Sequence, residues 1–165
     1  MQIQFVPVKT PEDIQALAAL ADEVWHEYFT SILSLEQIDY MVKNFQSASA
    51  ISEQIGDQGY RYFFLRSGEK NLGYTGIKAE NGKLFLSKIY LLRCYRGQGY
   101  ASQTFQFLEK ICRQEGLTAI WLTVNRHNDA TIAIYRQKGF QSLRTQVADI
   151  GNGFVMDDYI MEKTL

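Results

Sequence analysis

Arg96-Gly97-Gln98-Gly99-Tyr100-Ala101 joins two segments of different periodicity, and its reading decides the fold. Before it, Leu84 to Leu92 is a short run rich in aliphatic and aromatic residues, which predicts a strand. After it, Ala101, Phe105, Leu108 and Cys112 recur at three- and four-residue steps, which predicts an amphipathic helix. Two glycines two apart allow a sharp turn and expose consecutive N–H groups at the positive end of the helix, where phosphate oxygens bind well. Gly-x-Gly also serves as a simple tight turn. A dinucleotide fingerprint needs a third glycine where Ser102 stands and an acidic residue after the next strand, which closes at Val124-Asn125. A P-loop needs Gly-Lys-Ser/Thr, which does not follow.

Working outward, 165 residues fit one domain spanning 1–165 with a single core. With 17 basic and 18 acidic residues, the net charge of −1 gives no electrostatic case for nucleic acid as a partner. Cys94 and Cys112 form no Cys-x-x-Cys or Cys/His cluster, so no metal is expected, and two thiols suit a reducing compartment. The N-terminus lacks the charged start and apolar middle of a signal peptide, and no apolar run reaches membrane length. The expectation is a soluble cytoplasmic protein without a membrane partner.

Residues 2 to 8 alternate loosely and include Pro7, as an edge strand would. Thr10-Pro11-Glu12-Asp13 is a helix start, followed by a stripe of Ile14, Leu17, Ala18, Ala21, Trp25 and Tyr28. A second helix is expected after Ser34 and a third from Ala48 to Ile55, ending at Gly56. Three strands then form an antiparallel meander, with Asn81-Gly82 as a hairpin signal before the Leu84 strand. Thr118 to Val124 reads as a strand, Asn128 to Lys138 as a helix, and Gly139 to Ala148 and Phe154 to Glu162 as the last two strands. The class is α/β: one mixed, mostly antiparallel sheet of about seven strands flanked by helices.

With these elements placed, the chain resembles the GCN5-related N-acetyltransferase superfamily over nearly its full length. Arg96, Gly99 and Ala101 match an Arg/Gln-x-x-Gly-x-Gly/Ala motif. Asn128 to Phe140 looks like a second signature, in which Asn opens a helix and Tyr-x-x-x-Gly-Phe closes it. The resemblance implies acetyl-CoA as co-substrate, a splay between strands 4 and 5, and transfer to a primary amine of a small molecule or peptide. It implies that Ile89, Tyr90 and Leu91 lie beside pantetheine, that Arg96, Gly97, Gln98, Gly99, Tyr100 and Ala101 hold the phosphates, and that Asn128 binds the pantetheine arm. From the residues alone, Asn128 is equally suited to be a helix N-cap.

The resemblance also places the Tyr135 hydroxyl near the thioester sulfur, as a general acid, and a backbone N–H around Leu91 as oxyanion donor. Helix pattern alone makes Tyr135 a packing residue. Some relatives place a glutamate base on the fourth strand where this chain has Lys88, a poor proton acceptor unless buried. Base candidates are then His26 and Glu27, in an aromatic stretch of the helices that wall the acceptor pocket in this family. Each is equally a cap or surface residue. Trp25 and Tyr28 share a helical face and are candidates for the pocket or for plain core. Asp157 and Asp158 must point to opposite faces of their strand, so at most one reaches the cleft. A non-catalytic acyl-CoA-binding domain is the alternative function, and a homodimer is a further partner the resemblance suggests.

Overall fold

The computed structural model describes residues 1–165. Strand β1 (Gln4–Pro7) leads into helix α1 (Pro11–Tyr28), whose start is a reciprocal capping box. Thr10 Oγ1 accepts the Asp13 N–H at 3.1 Å, and the Asp13 carboxylate accepts the Thr10 N–H at 3.1 Å. Ser34 and Ser47 cap α2 (Leu35–Phe45) and α3 (Ala48–Asp57) more simply, each hydroxyl accepting one backbone N–H, from Gln37 and Ala50, with no reciprocal bond. Helix α3 continues through Gly56 for one more residue, because Gly56 lies within a hydrogen-bonded turn that the Gln58 N–H completes at Gln54.

The meander is β2 (Arg61–Ser67), β3 (Lys70–Glu80) and β4 (Lys83–Leu91). Asn81 and Gly82 both have positive φ, +53° and +76°, the combination a two-residue hairpin turn needs to match strand twist. A 3-10 turn at Arg93–Tyr95, which the pattern did not foretell, intervenes before α4 (Tyr100–Glu115). Then follow β5 (Ala119–Asn125), α5 (Asp129–Gln137), β6 (Gln141–Gly151) and β7 (Phe154–Thr164). Strand β6 starts at Gln141 rather than Gly139, because Gly139, at φ +99°, and Phe140 close α5 with N–H bonds to Arg136 and Tyr135 carbonyls.

The seven strands form one sheet in the order β1-β2-β3-β4-β5-β7-β6, with β1 and its proline at an edge. Helices α1 to α3 cover one face, burying Leu17, Trp25, Ile38 and Ile51 against Tyr62, Phe64 and Tyr74. On the other face α4 and α5 bury Phe105, Leu108, Ile132 and Tyr135 against Leu84, Leu86, Ile120 and Leu122.

Two irregularities shape the middle. Strands β4 and β5, the only parallel pair, are matched at just Leu84↔Ile120 and Phe85↔Trp121, whereas β5 pairs with β7 from Ala119 to Asn125. Beyond Phe85 the two strands splay apart. Opposite β3, Gly76 faces Lys88 and Ile77 faces Leu86, so Ser87 is the extra residue of a β-bulge. The bulge sets consecutive Ser87 and Lys88 along one cavity instead of on alternate faces.

Candidate active site

The splay exposes main chain. The Leu92 N–H bonds the Leu72 carbonyl at 2.9 Å, and antiparallel alternation then directs the N–H groups of Tyr90 and Lys88 toward β3. The N–H groups of Ile89 and Leu91 are left facing the opening. A cleft runs from there to the glycine turn, lined by Ile89, Leu91, Gly97, Gly99, Ala101 and Tyr135 among others.

At the far end of that cleft the turn has the form of an anion site. Gly97 and Gly99 have φ of +74° and +86°, and nothing lies within 4 Å of where a Cβ would stand on either. The first bond of α4 runs from the Gln103 N–H to the Gly99 carbonyl at 3.2 Å, so the N–H groups of Tyr100, Ala101 and Ser102 precede the helical ladder. No side chain caps them. The Tyr100 ring packs in the core with Ile3, Leu65 and Leu72, so only its backbone is available to a ligand. The Gln98 amide folds back onto the Cys94 carbonyl at 3.0 Å, outside the cleft. These features fit the diphosphate of coenzyme A. Lys138 and Ser102, joined at 2.7 Å, add a cation at the mouth. Lys138 was not singled out from sequence, although its spacing of three from Tyr135 put both on one side of α5.

Arg96 is held by Nε donating to the Leu91 carbonyl at 3.0 Å, by Glu27 at 3.4 Å, and with its guanidinium 5.0 Å from the centre of the Tyr28 ring. Glu27 also accepts the Arg93 N–H, so its carboxylate braces the turn ahead of the glycines. It lines neither cavity of the splay. Neither does His26, whose Nε2 meets Asp39 at 2.5 Å and whose Nδ1 meets the Asp22 carbonyl at 2.8 Å. Those two acceptors hold its pKa above the usual imidazole value, the Asp39 bond foremost. Both base candidates are thus occupied away from the cleft.

A second cavity lies on the α1 side and shares Tyr28, Tyr90, Thr131 and Tyr135 with the first. Trp25 lines it, donating Nε1–H to the Tyr74 hydroxyl at 2.8 Å. Tyr90 packs edge-on to Trp25, Tyr28 and Phe29, with centroids 5.6, 5.5 and 5.9 Å away, which gives the cavity an aromatic wall. The Tyr28 hydroxyl reaches across to α5, 2.6 Å from Thr131 Oγ1, and accepts Asn128 Nδ2–H at 2.7 Å. Asn128 stands at the N-cap position but makes no capping bond with its side chain. Thr131 was not foreseen, yet Asn128, Thr131 and Tyr135 follow the three- and four-residue steps of one helical face.

Tyr135 stands where the cavities meet. Its ring is fixed by Phe105 and Phe140, at 6.1 and 5.8 Å, and its side chain lines both cavities. Burial, with a smaller contribution from Tyr28, raises the phenol pKa, so it holds its proton at neutral pH. Lys88 and Asp158 face the second cavity. Asp157 points away and pairs with Arg126 at 3.3 Å, which is the opposition expected of adjacent strand residues. Burial lowers the Lys88 pKa to about 8. Burial, and secondarily Asp157, raises that of Asp158 to about 6.

The opening at the one parallel pair thus has the glycine turn at one end and the Tyr135 phenol at the other. The chain belongs to the acetyltransferase (GNAT) family, whose model matches residues 17–140, and is by class an acetyl-CoA-dependent acyltransferase. It is 21% identical over 162 residues to an N-acetyltransferase in the pepI 3′ region of Lactobacillus delbrueckii subsp. lactis, covering 93% of each chain. It is 24% identical over 150 residues to the spermidine N(1)-acetyltransferase of Thermoplasma acidophilum, covering 88% of this chain and 91% of that one. It shares its fold with the PaiA N-acetyltransferase of the same organism, solved in complex with coenzyme A, at a TM-score of 0.81 and 22% identity with both chains fully covered. No helix is long and apolar enough to cross a membrane.

Proposed function

We propose that the chain transfers the acetyl group of acetyl-CoA to a primary amine of a small molecule or peptide by direct attack, with both substrates bound at once. The observation that carries this reading is the Tyr135 phenol in the shared lining of a cleft ending in an anion turn and a separate aromatic cavity, with burial keeping it protonated. Gly97, Gly99 and the N–H groups of Tyr100 and Ala101 hold the diphosphate, with Arg96 and Lys138 as the nearby cations. Ile89 and Leu91 offer main-chain groups to the pantetheine arm, as an edge strand does to an added one. Asn128 donates to the same arm once it leaves Tyr28.

Acetyl-CoA supplies an acyl carbon activated as a thioester. The Leu91 N–H faces the position where the carbonyl oxygen gains charge and stabilises it. Tyr135 gives its proton to the departing sulfur and regains one from the acylated nitrogen, a role a phenol held neutral by burial can fill. Holding amine and acyl donor on opposite sides of Tyr135 makes the encounter nearly unimolecular. The second cavity, with Trp25 and Tyr28 in its wall, receives the acceptor.

Thermal stabilisation by acetyl-CoA, followed by thiol release with a panel of amines, tests the reading. Stabilisation together with release supports it. Stabilisation without release from any amine would make the chain a binding module, and no stabilisation would remove the coenzyme assignment.

A further inference from the structure

The acceptor cavity holds two charged side chains whose charges nothing in the protein answers. Asp158 is 8% exposed, and its Oδ1 is buried without a hydrogen-bond partner. A carboxylate oxygen in that position is costly unless a ligand supplies the donor. Lys88, placed on the cavity by the Ser87 bulge, has only neutral partners, the Ser87 hydroxyl at 2.8 Å and the Ser87 carbonyl at 3.3 Å. No ion pair joins Lys88 to Asp158 or to any other acid. The remaining titratable groups around the cavity are the phenols of Tyr28, Tyr90 and Tyr135, and burial raises the pKa of the last two.

An acceptor with one positive end would satisfy Asp158 and leave Lys88 bare. One with several cationic nitrogens would set a second ammonium beside Lys88, where like charges repel. An acceptor with an ammonium and a carboxylate answers both groups.

We propose that the acceptor is a zwitterionic amino acid with an apolar side chain, its ammonium on Asp158, its carboxylate on Lys88 and its side chain among Trp25, Phe29, Met41, Phe45 and Met156. This rests on the acetyl-transfer reading. Asp158 takes one proton from the ammonium, and the freed lone pair forms the new C–N bond as the C–S bond breaks. The sulfur leaves with the Tyr135 proton, the acylated nitrogen returns a proton to Tyr135, and Asp158 releases its own to solvent.

Thiol release from acetyl-CoA is followed with L-phenylalanine, L-leucine and L-methionine, with phenethylamine and isoamylamine as their carboxylate-free counterparts, and with spermidine. The expected result is a kcat/KM at least about tenfold higher for each amino acid than for its matched amine or for spermidine, the effect of about one satisfied charge contact. Lys88→Met should lower kcat/KM for L-phenylalanine at least about tenfold more than for phenethylamine, and Lys88→Arg should keep the preference. Asp158→Asn should depress both classes. Faster turnover of phenethylamine or spermidine than of the amino acids, or an unchanged preference in a folded Lys88→Met, would overturn this inference while leaving acetyl transfer intact. Absence of thiol release with every acceptor would overturn both.

Discussion

Replacing Asp158 by Asn should make the protein more stable and less active at once. Burial, by penalising the charged form, pushes the carboxyl pKa up from the ordinary 3.8 to about 6, with a smaller contribution from Asp157. Raising the pKa from 3.8 to about 6 corresponds to about 3 kcal/mol against the charged form. The sign follows from linkage: a pKa raised in the fold means that the native state binds the proton more tightly. The wild type is therefore spared the penalty below pH 4, loses stability progressively between about pH 4 and pH 6, and carries the full penalty above that. Asparagine carries no charge at any of these pH values. Its gain over wild type should be near zero at pH 4 and approach about 3 kcal/mol at pH 7.5, a ceiling because the new amide also needs partners. At this chain length that is a rise in Tm of up to about 6–12 °C. Scanning calorimetry of both proteins at pH 4 and 7.5 reads the difference, with turnover measured in parallel and expected to fall by about a hundredfold or more. An equal Tm difference at the two pH values, or a variant no more stable at pH 7.5, would refute the claim that Asp158 is a buried, uncompensated charge.

Four further outcomes are expected. Tyr135→Phe should lower kcat by about a hundredfold or more and leave the coenzyme A dissociation constant within about twofold, since only the proton donor is lost; isothermal titration beside initial rates separates the two. Gly99→Val should weaken coenzyme binding at least about tenfold, because it puts a branched side chain at a left-handed position above the anion turn, and calorimetric titration reads it. Lys88→Met should raise Tm at pH 7, where the fold penalises the ammonium, and the gain should shrink as pH rises from about 8 toward 10.5, which melting scans across pH detect. His26→Ala should change kcat/KM by less than about twofold, because its partners Asp22 and Asp39 lie outside both cavities.

What was legible in the sequence was what local chemistry dictates. Thr10-Pro11-Glu12-Asp13 carries a capping box in its own letters, Asn81-Gly82 carries a turn, and Arg96 to Ala101 carries a left-handed corner before a helix. The mixed sheet and the splay between the fourth and fifth strands followed from the resemblance once the elements were placed, whereas the position of β7 between β5 and β6 emerged only from the pairing. The acceptor side was harder to read because it depends on which face of a strand looks inward. The bulge at Ser87 shifts that parity by one, so no alternation count would have turned Lys88 into the cavity. His26 and Glu27 are chemically suited to take a proton, but apart from Asp22 the partners that engage them, Asp39, Arg93 and Arg96, lie 13 and 66 or more residues away. That distance hides from sequence that both are engaged elsewhere. Asp158 could be singled out from Asp157 only once the β5–β7 register faced it to Asn125.

The central claim is that the gap between β4 and β5 brings an acyl donor to Tyr135 from the side of the glycine turn. A crystal structure with coenzyme A bound tests it most directly. The account predicts the diphosphate on the N–H groups of Gly99 to Ala101 and the sulfur within about 3.5 Å of the Tyr135 hydroxyl. Coenzyme A bound elsewhere, or a thiol lying outside the gap with Tyr135 still buried behind Phe105, would contradict it.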